Sequence, residues 1–287
     1  MKRDTHSRTA EAMALVRAVE QTQPPNQRII DDPYAQACLF HPFFRLVGGS
    51  RVLSRLMLRF LDWWAPGGQE FLTIRPRLVD DLARAQASAG LEQIVLLGAG
   101  FDTMAWRLKD CLKSVTVYEV DHPLTQAAKR EVAGRLGLPA NLRFVPVDFE
   151  REDFAVKLRE AGFDAALKTM MVWVGVSYYL TAPAVEGALR QIASLTAPGS
   201  VLVWDYMLSE VVAGTSSNRE ALGKAARVAR LGEPWLFGLT PQSHRAYLSS
   251  LGFRVSHDFD PEELRRRYAP QRPLPMSYVR IAVAERA

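Results

Sequence analysis

The 287-residue sequence is poor in the features that mark several whole classes of protein. It has two cysteines, Cys38 and Cys111, far apart and in no metal-ligand or redox spacing, which excludes a disulfide scaffold and fits a reducing compartment. No apolar run approaches the length of a membrane span, and the charged N-terminal stretch that opens with Lys2 and Arg3 lacks the apolar centre of a signal sequence. Neither sign of charge dominates: 36 Lys and Arg stand against 31 Asp and Glu, a formal net charge of +5. The basic residues are scattered, which argues against a nucleic-acid surface and leaves at most a preference for an anionic substrate. The expectation is a cytoplasmic protein that uses no metal and partners neither membrane nor nucleic acid. Its 48% hydrophobic composition is enough for one well-filled core.

What is present is concentrated in Ile94 to Thr103, IVLLGAGFDT. Four successive apolar residues predict a parallel strand buried on both faces. Gly98 and Gly100 then bring bare backbone to its carboxyl end, where open α/β sheets place their ligands. Asp102 or Thr103 can cap the helix that follows. The loop reads as a nucleotide-cofactor site, yet the third glycine of the dinucleotide fingerprint is missing at Thr103, and no Gly-Lys-Ser/Thr ending follows. Asp102 stands where a pyrophosphate would approach, and like charges repel there. A cofactor without phosphates, S-adenosylmethionine, fits better than NAD or ATP. Asp121, about twenty residues beyond the loop at the end of the next strand, can accept hydrogen bonds from both ribose hydroxyls. A solvated surface acid is the plainer alternative.

The rest of the chain reads as helix up to Ala89, with segments at 9–20, 43–64 and from about 75–77 to 89, the last start set by Pro76. Arg51, Arg55 and Arg59 line one face of the second segment, as a solvated row in preference to a membrane-surface helix. After the glycine loop, strands are predicted at 115–120, 142–147, 163–173 and 201–206, with 252–255 and 278–284 as an antiparallel edge pair. Between them lie helices 123–136, 182–195, 218–231 and 240–251. Residues 1–88 are expected to form a helical cap, and 89–287 the sheet domain, with a helical insertion at about 207–250.

Several motifs, in order along nearly the whole chain, resemble the leucine carboxyl methyltransferase family of S-adenosylmethionine-dependent methyltransferases, in its bacterial, natural-product subgroup. They are DPYA at Asp32, Arg75-Pro76-Arg77 with Asp80-Asp81, LLGAGFDT with Trp106-Arg107-Leu108, YEVDHP at Tyr118, VDFE from Val147 to Glu150, WVGVSYYLT at Trp173, WDY at Trp204 and GEPW at Gly232. The resemblance implies a seven-stranded, mostly parallel α/β Rossmann-like sheet of class I methyltransferase type. It implies that Arg75 binds the cofactor's carboxylate, that Gly98, Ala99, Gly100 and Asp102 border its methionine part and ribose, and that Asp121 and His122 hold the ribose. Asp148 and Phe149 would border the adenine. Val174 departs from the pattern, because eukaryotic members carry Glu there; a backbone carbonyl near Gly98 is the substitute expected for the cofactor's amino group.

Methyl transfer from a sulfonium is an in-line displacement, so the protein must align donor and acceptor and exclude water. A carboxylate acceptor, with a pKa of about 4, needs no general base at neutral pH. The sequence offers no obvious base: His122, beside a motif, is placed to cap the helix behind Pro123. The expected function is therefore O-methylation of a carboxylate on a small molecule or peptide. Hydroxyl or phenol methylation in secondary metabolism stands second. A non-methylating S-adenosylmethionine-binding protein and a NAD-dependent oxidoreductase also remain open. Trp173, Tyr178, Trp204, Tyr206 and Trp235 are candidate pocket residues, and Tyr179 is the candidate for positioning the acceptor.

Overall fold

The computed structural model describes residues 6–64, 66–149, 151–230 and 232–287. Expectations that touch Lys2, Arg3, Glu150 and Leu231 lie outside them. The strands are β1 (Gln93–Leu97), β2 (Thr116–Asp121), β3 (Leu142–Pro146), β4 (Thr169–Trp173), β5 (Val201–Met207), β6 (Phe253–Phe259) and β7 (Val279–Arg286). The helices are α1 (Arg8–Glu20), α2 (Pro42–Gly49), α3 (Arg51–Trp64), α4 (Gly68–Ser88), α5 (Met104–Arg107), α6 (Pro123–Leu136), α7 (Phe154–Glu160), α8 (Ala182–Ser194), α9 (Ser209–Val212), α10 (Arg219–Arg230), α11 (Pro241–Ser250) and α12 (Pro261–Tyr268).

The strands form one sheet in the order β3-β2-β1-β4-β5-β7-β6. The first five are parallel, and β7 runs antiparallel to both β5 and β6. This is the expected seven-stranded, mostly parallel α/β sheet with its antiparallel edge. Every residue of β1, β4 and β5 is buried, as strands covered on both faces must be. The chain order reverses between β1 and its two neighbours, β2 and β4, which opens a crevice beyond their carboxyl ends.

Alternate residues of each strand feed two different cores. Ile94, Leu96, Met170, Val172, Val201 and Val203 pack under Ile74 and Leu78 of α4 and Met104 of α5. Val95, Leu97, Met171, Trp173, Leu202, Trp204 and Tyr206 pack under α7, α8 and α11. A third cluster joins α1 to α2, α3 and α6 through Leu15, Val19, Val47, Leu58 and Val132. The buried carboxylate of Glu20, at the end of α1, accepts hydrogen bonds from Ile29 N, Gln69 Nε2 and Arg272, the last 252 positions away.

Several local expectations need correction. The predicted helix at 43–64 is two helices, because Gly48 and Gly49 weaken it and Ser50 is extended. Gly48 is also where α2 meets its neighbours: a Cβ there would lie 2.8 Å from Leu39 Cδ1. α4 starts at Gly68 rather than near Pro76, and Pro76 sits inside it. The buried row Phe71, Ile74, Leu78, Val79 and Ala83 packs against the sheet on both sides of the proline, so tertiary burial outweighs one missing backbone donor. The strand expected at 163–173 begins only at Thr169. Helices α7 and α12, absent from the sequence reading, are each capped by an aspartate, Asp153 and Asp260.

Candidate functional site

At the carboxyl end of β1, Gly98 and Gly100 have φ values of 73° and 52°, the left-handed region that a side chain disfavours. The N–H groups of Gly98 and Ala99 donate to Val120 O, and the Gly100 N–H donates to Asp121 Oδ2 at 2.6 Å. The other oxygen of Asp121 accepts from His122 N at 2.7 Å. Asp121 thus props the glycine loop open from the end of β2, and burial pushes its carboxyl above the ordinary value. His122 Nδ1 accepts from Leu124 N, the capping contact expected of it at the start of α6. Asp148 and Phe149 follow β3, next in the sheet, where Val147 N–H donates to Asp121 O. The Phe149 ring is exposed and meets Phe154 edge-on.

On the other side of the loop, a Cβ at Gly98 would meet Val176, and one at Gly175 would lie 3.0 Å from Arg75 Nη1. Arg75, largely buried on α4, donates through Nη1 to Asp205 Oδ2 at 2.8 Å and to the Tyr178 hydroxyl at 3.5 Å. Asp205 Oδ1 takes the Gly175 N–H at 2.8 Å. Burial pushes the Asp205 carboxyl up against the opposing pull of Arg75. The sequence reading missed Asp205, although it sits in the middle of the WDY motif. Tyr178 stacks obliquely on Tyr179 at 4.7 Å and meets Trp235 edge-on at 6.5 Å. Burial raises the hydroxyl pKa of both tyrosines.

A buried ionic cluster ties the N-terminal segment to the loop. Asp32 accepts from Arg17 Nε at 2.8 Å, from Thr103 Oγ1 at 2.6 Å and from Arg107 Nη1 at 3.4 Å. Arg107 also grips Asp80 with two bonds, at 3.0 and 2.8 Å. Arg17 Nη2 donates to Phe101 O. Burial alone would raise Asp32, but Arg107 and Arg17 hold it below its ordinary range. Asp102 is likewise pulled to about 2, burial being overcome by Arg107 and Arg17, and its Oδ1 accepts from Met104 N. Asp102 rather than Thr103 therefore makes the helix-start contact. Beneath, Glu119 pairs with Lys129 at 2.6 Å, both buried, and burial lifts its carboxyl to about 7. The start of α1 crosses this region. Ala10 abuts Gly100, Ser7 N–H donates to Thr125 Oγ1, and Thr9 Oγ1 donates to Glu233.

Three aromatic residues expected in the pocket lie elsewhere. Trp173, Trp204 and Tyr206 point to the opposite face of the sheet. Trp173 stacks on Trp204 at 6.0 Å and 11°, Trp204 Nε1 donates to His244 Nε2, and the Tyr206 hydroxyl donates to Asp258. Their side chains belong to the core under α8 and α11 because strand residues alternate between faces. Tyr178, Tyr179 and Trp235 stay on the side of Arg75.

The model of the leucine carboxyl methyltransferase family matches residues 10–193. A protein of Mycolicibacterium gilvum assigned as an S-adenosyl-L-methionine-dependent methyltransferase is 36% identical over 208 residues, 69% of this chain and 65% of that protein. The chain thus spans just under two thirds of that relative's length. One of Mycolicibacterium vanbaalenii with the same assignment is 32% identical over 282 residues, covering 93% of this chain and 88% of its own. Among solved structures, a protein of Thermobifida fusca assigned as a methyltransferase superposes with a TM-score of 0.61 at 16% identity, over 94% of this chain and 97% of its own, a likeness of fold.

Proposed function

The chain belongs to the leucine carboxyl methyltransferase family, and from that premise we propose that it is an S-adenosylmethionine-dependent methyltransferase that methylates a carboxylate oxygen of a small molecule or peptide. The cofactor's fit is supported by the crevice itself. Two glycines in left-handed conformation present backbone without side chains beside Asp121, closely approached by Val176 and Ala10, and Gly175 leaves room for the Arg75 fork. Among the described residues Arg75 Nη2 has no hydrogen bond, while Asp205 fixes Nη1, so the guanidinium is aimed with donors to spare for a carboxylate. Asp121 is at the ribose position, with Asp148 and Phe149 beyond it at the adenine position. When bound, S-adenosylmethionine supplies an electrophilic methyl group on sulfur.

The observation that carries the carboxylate reading is that, among the described residues, no histidine near the crevice is without a partner. Of the described histidines nearest the loop, His6 pairs with Glu11 and packs on Phe40 and Phe101, and His122 is committed to a helix cap, while His244 lies in the opposite core. Tyr178 and Tyr179 have hydroxyl pKa values raised by burial, so they remain protonated and act as donors at neutral pH. Donors orient an acceptor that is already ionised; they do not take a proton from a hydroxyl. The protein's part is alignment and exclusion of water, with the segment 6–10 laid across the glycine loop as the cover. Tyr179 positions the acceptor through its hydroxyl.

The test is transfer of a labelled methyl group to a panel of carboxylic acids and phenols matched in size. Alkali-labile ester product from the acids supports the reading, and stable ether product from the phenols alone overturns it. Tyr179→Phe lowers turnover about 10-fold or more while leaving affinity for S-adenosylmethionine nearly unchanged, the mark of an interaction that acts on the acceptor. An unaltered rate removes Tyr179 from that role.

A further inference from the structure

Behind Trp235 the aromatic wall ends in a cation that has no ion-pair partner among the described residues. Tyr278, just before β7, packs its ring on Trp235 at 5.6 Å and is almost fully buried. Lys224, on α10, holds its ammonium 5.9 Å from the centre of that ring. Its Nζ is closed to solvent and has neither hydrogen bond nor ion pair among the described residues; the Tyr278 hydroxyl is in the same condition. The nearest charges on its own helix are Glu220 and Arg227, one turn to either side, and Glu220 is exposed. Burial pulls the Lys224 pKa to about 8, so the group still carries its proton at neutral pH. An aromatic face is weak compensation for a desolvated ammonium, and a buried charge without a partner is costly. Two buried donors side by side, one of them cationic, suit an anion.

We propose that Lys224 and Tyr278 bind an anionic group of the acceptor at a point remote from the oxygen that is methylated. A chain of contacts leads from Arg75 through the rings of Tyr178, Trp235 and Tyr278 to Lys224, and neither Arg75 nor Tyr178 touches the ammonium. That separation also suits the chemistry, since an ammonium paired to the reacting oxygen would draw off the charge that attacks the methyl group. The acceptor class is then a flat or aromatic molecule, stacked along Trp235, with a carboxylate, sulfate or phosphate at its far end. This assignment rests on the reading of the crevice as the methyl-transfer site, but not on which oxygen is methylated.

Two fluorescent probes test it on the full chain: 8-anilinonaphthalene-1-sulfonate, an aromatic anion, and N-phenyl-1-naphthylamine, the same ring system without the charge. Lys224→Met weakens the anionic probe at least 10-fold and the neutral probe less than 2-fold, and Lys224→Arg restores most of the loss. Trp235→Ala weakens both. S-adenosylhomocysteine affinity, unchanged in every variant, verifies that each is folded. Equal losses of the two probes in Lys224→Met, or anionic-probe binding that neither substitution touches, overturn the proposal. Failure of the chain to methylate carboxylic acids, with these probe results intact, overturns only the carboxylate reading.

Discussion

The two faces of strand β5 carry opposite chemistry from adjacent residues. Asp205 faces α4 and holds Arg75 at the crevice, while Trp204 and Tyr206 face α11 and close around His244. One face sets a buried ion pair, Asp205 with Arg75, among the apolar Val201, Val203 and Met207. The other is apolar and aromatic, and Trp204 Nε1 and the Tyr206 hydroxyl find neutral or charged acceptors in His244 and Asp258. The difference shows how a parallel sheet holds a site rigid: the aromatic side anchors the strand so that the acid on the other side is fixed in place.

The largest expected effect comes from breaking the charged face. Asp205→Ala leaves Arg75 buried without its carboxylate and lowers the free energy of unfolding by about 3–5 kcal/mol, measured by urea denaturation. A loss below about 1 kcal/mol would mean that water replaces Asp205 and that the two faces differ less than the geometry says. Next is the loop support: Asp121→Ala removes the charged acceptor of two backbone N–H groups and weakens S-adenosylmethionine by about 1.5–3 kcal/mol, read by calorimetry. Unchanged affinity would show that the loop holds its shape unaided.

The smallest effect sharpens the other face. His244 Nε2 accepts from Trp204, the ring is fully buried, and burial lowers its pKa from 6.5 to about 4. The unfolded chain therefore binds a proton that the folded chain refuses, and stability falls as pH drops from 6.5 toward 4, by about 2–3 kcal/mol over that window. In His244→Gln that part of the acid loss disappears, so the difference between the two stability curves against pH isolates it. Parallel curves would mean that the ring protonates freely in the folded state.

How much of this was legible in the sequence depends on the range over which each feature is determined. The glycine loop, the acid at the end of β2 and the capped helix α6 are each written in a few adjacent residues, the acid 21 positions beyond Gly100, and they were readable. The motifs at Asp32, Asp80 and Arg107 were visible as words but not as one cluster, since contacts across 27 and 75 positions have no local spacing. The aromatics of WDY and WVGVSYY drew attention by residue type. Which of them faces the crevice depends on strand phase and on which face α4 covers, and neither is a local property. Asp205 was overlooked for the same reason, its partner lying 130 positions earlier. Helices α7 and α12 did have a local signal, an aspartate cap, followed in α7 by apolar residues and in α12 by Pro261, an acidic first turn and a basic last turn, and could have been found.

The carboxylate of Glu20 has a consequence in time as well as in space. Its partners come from the loop after α1, from α4 and from Arg272, so the last of them is synthesised 252 residues after the acid itself. At about 5–20 residues per second, α1 waits on the order of tens of seconds before its final ion pair can form. The apolar side of α1 has its partners much sooner, in Val47, Leu58, Phe101 and Val132, so the late ion pair closes onto a layer whose apolar contacts are already available.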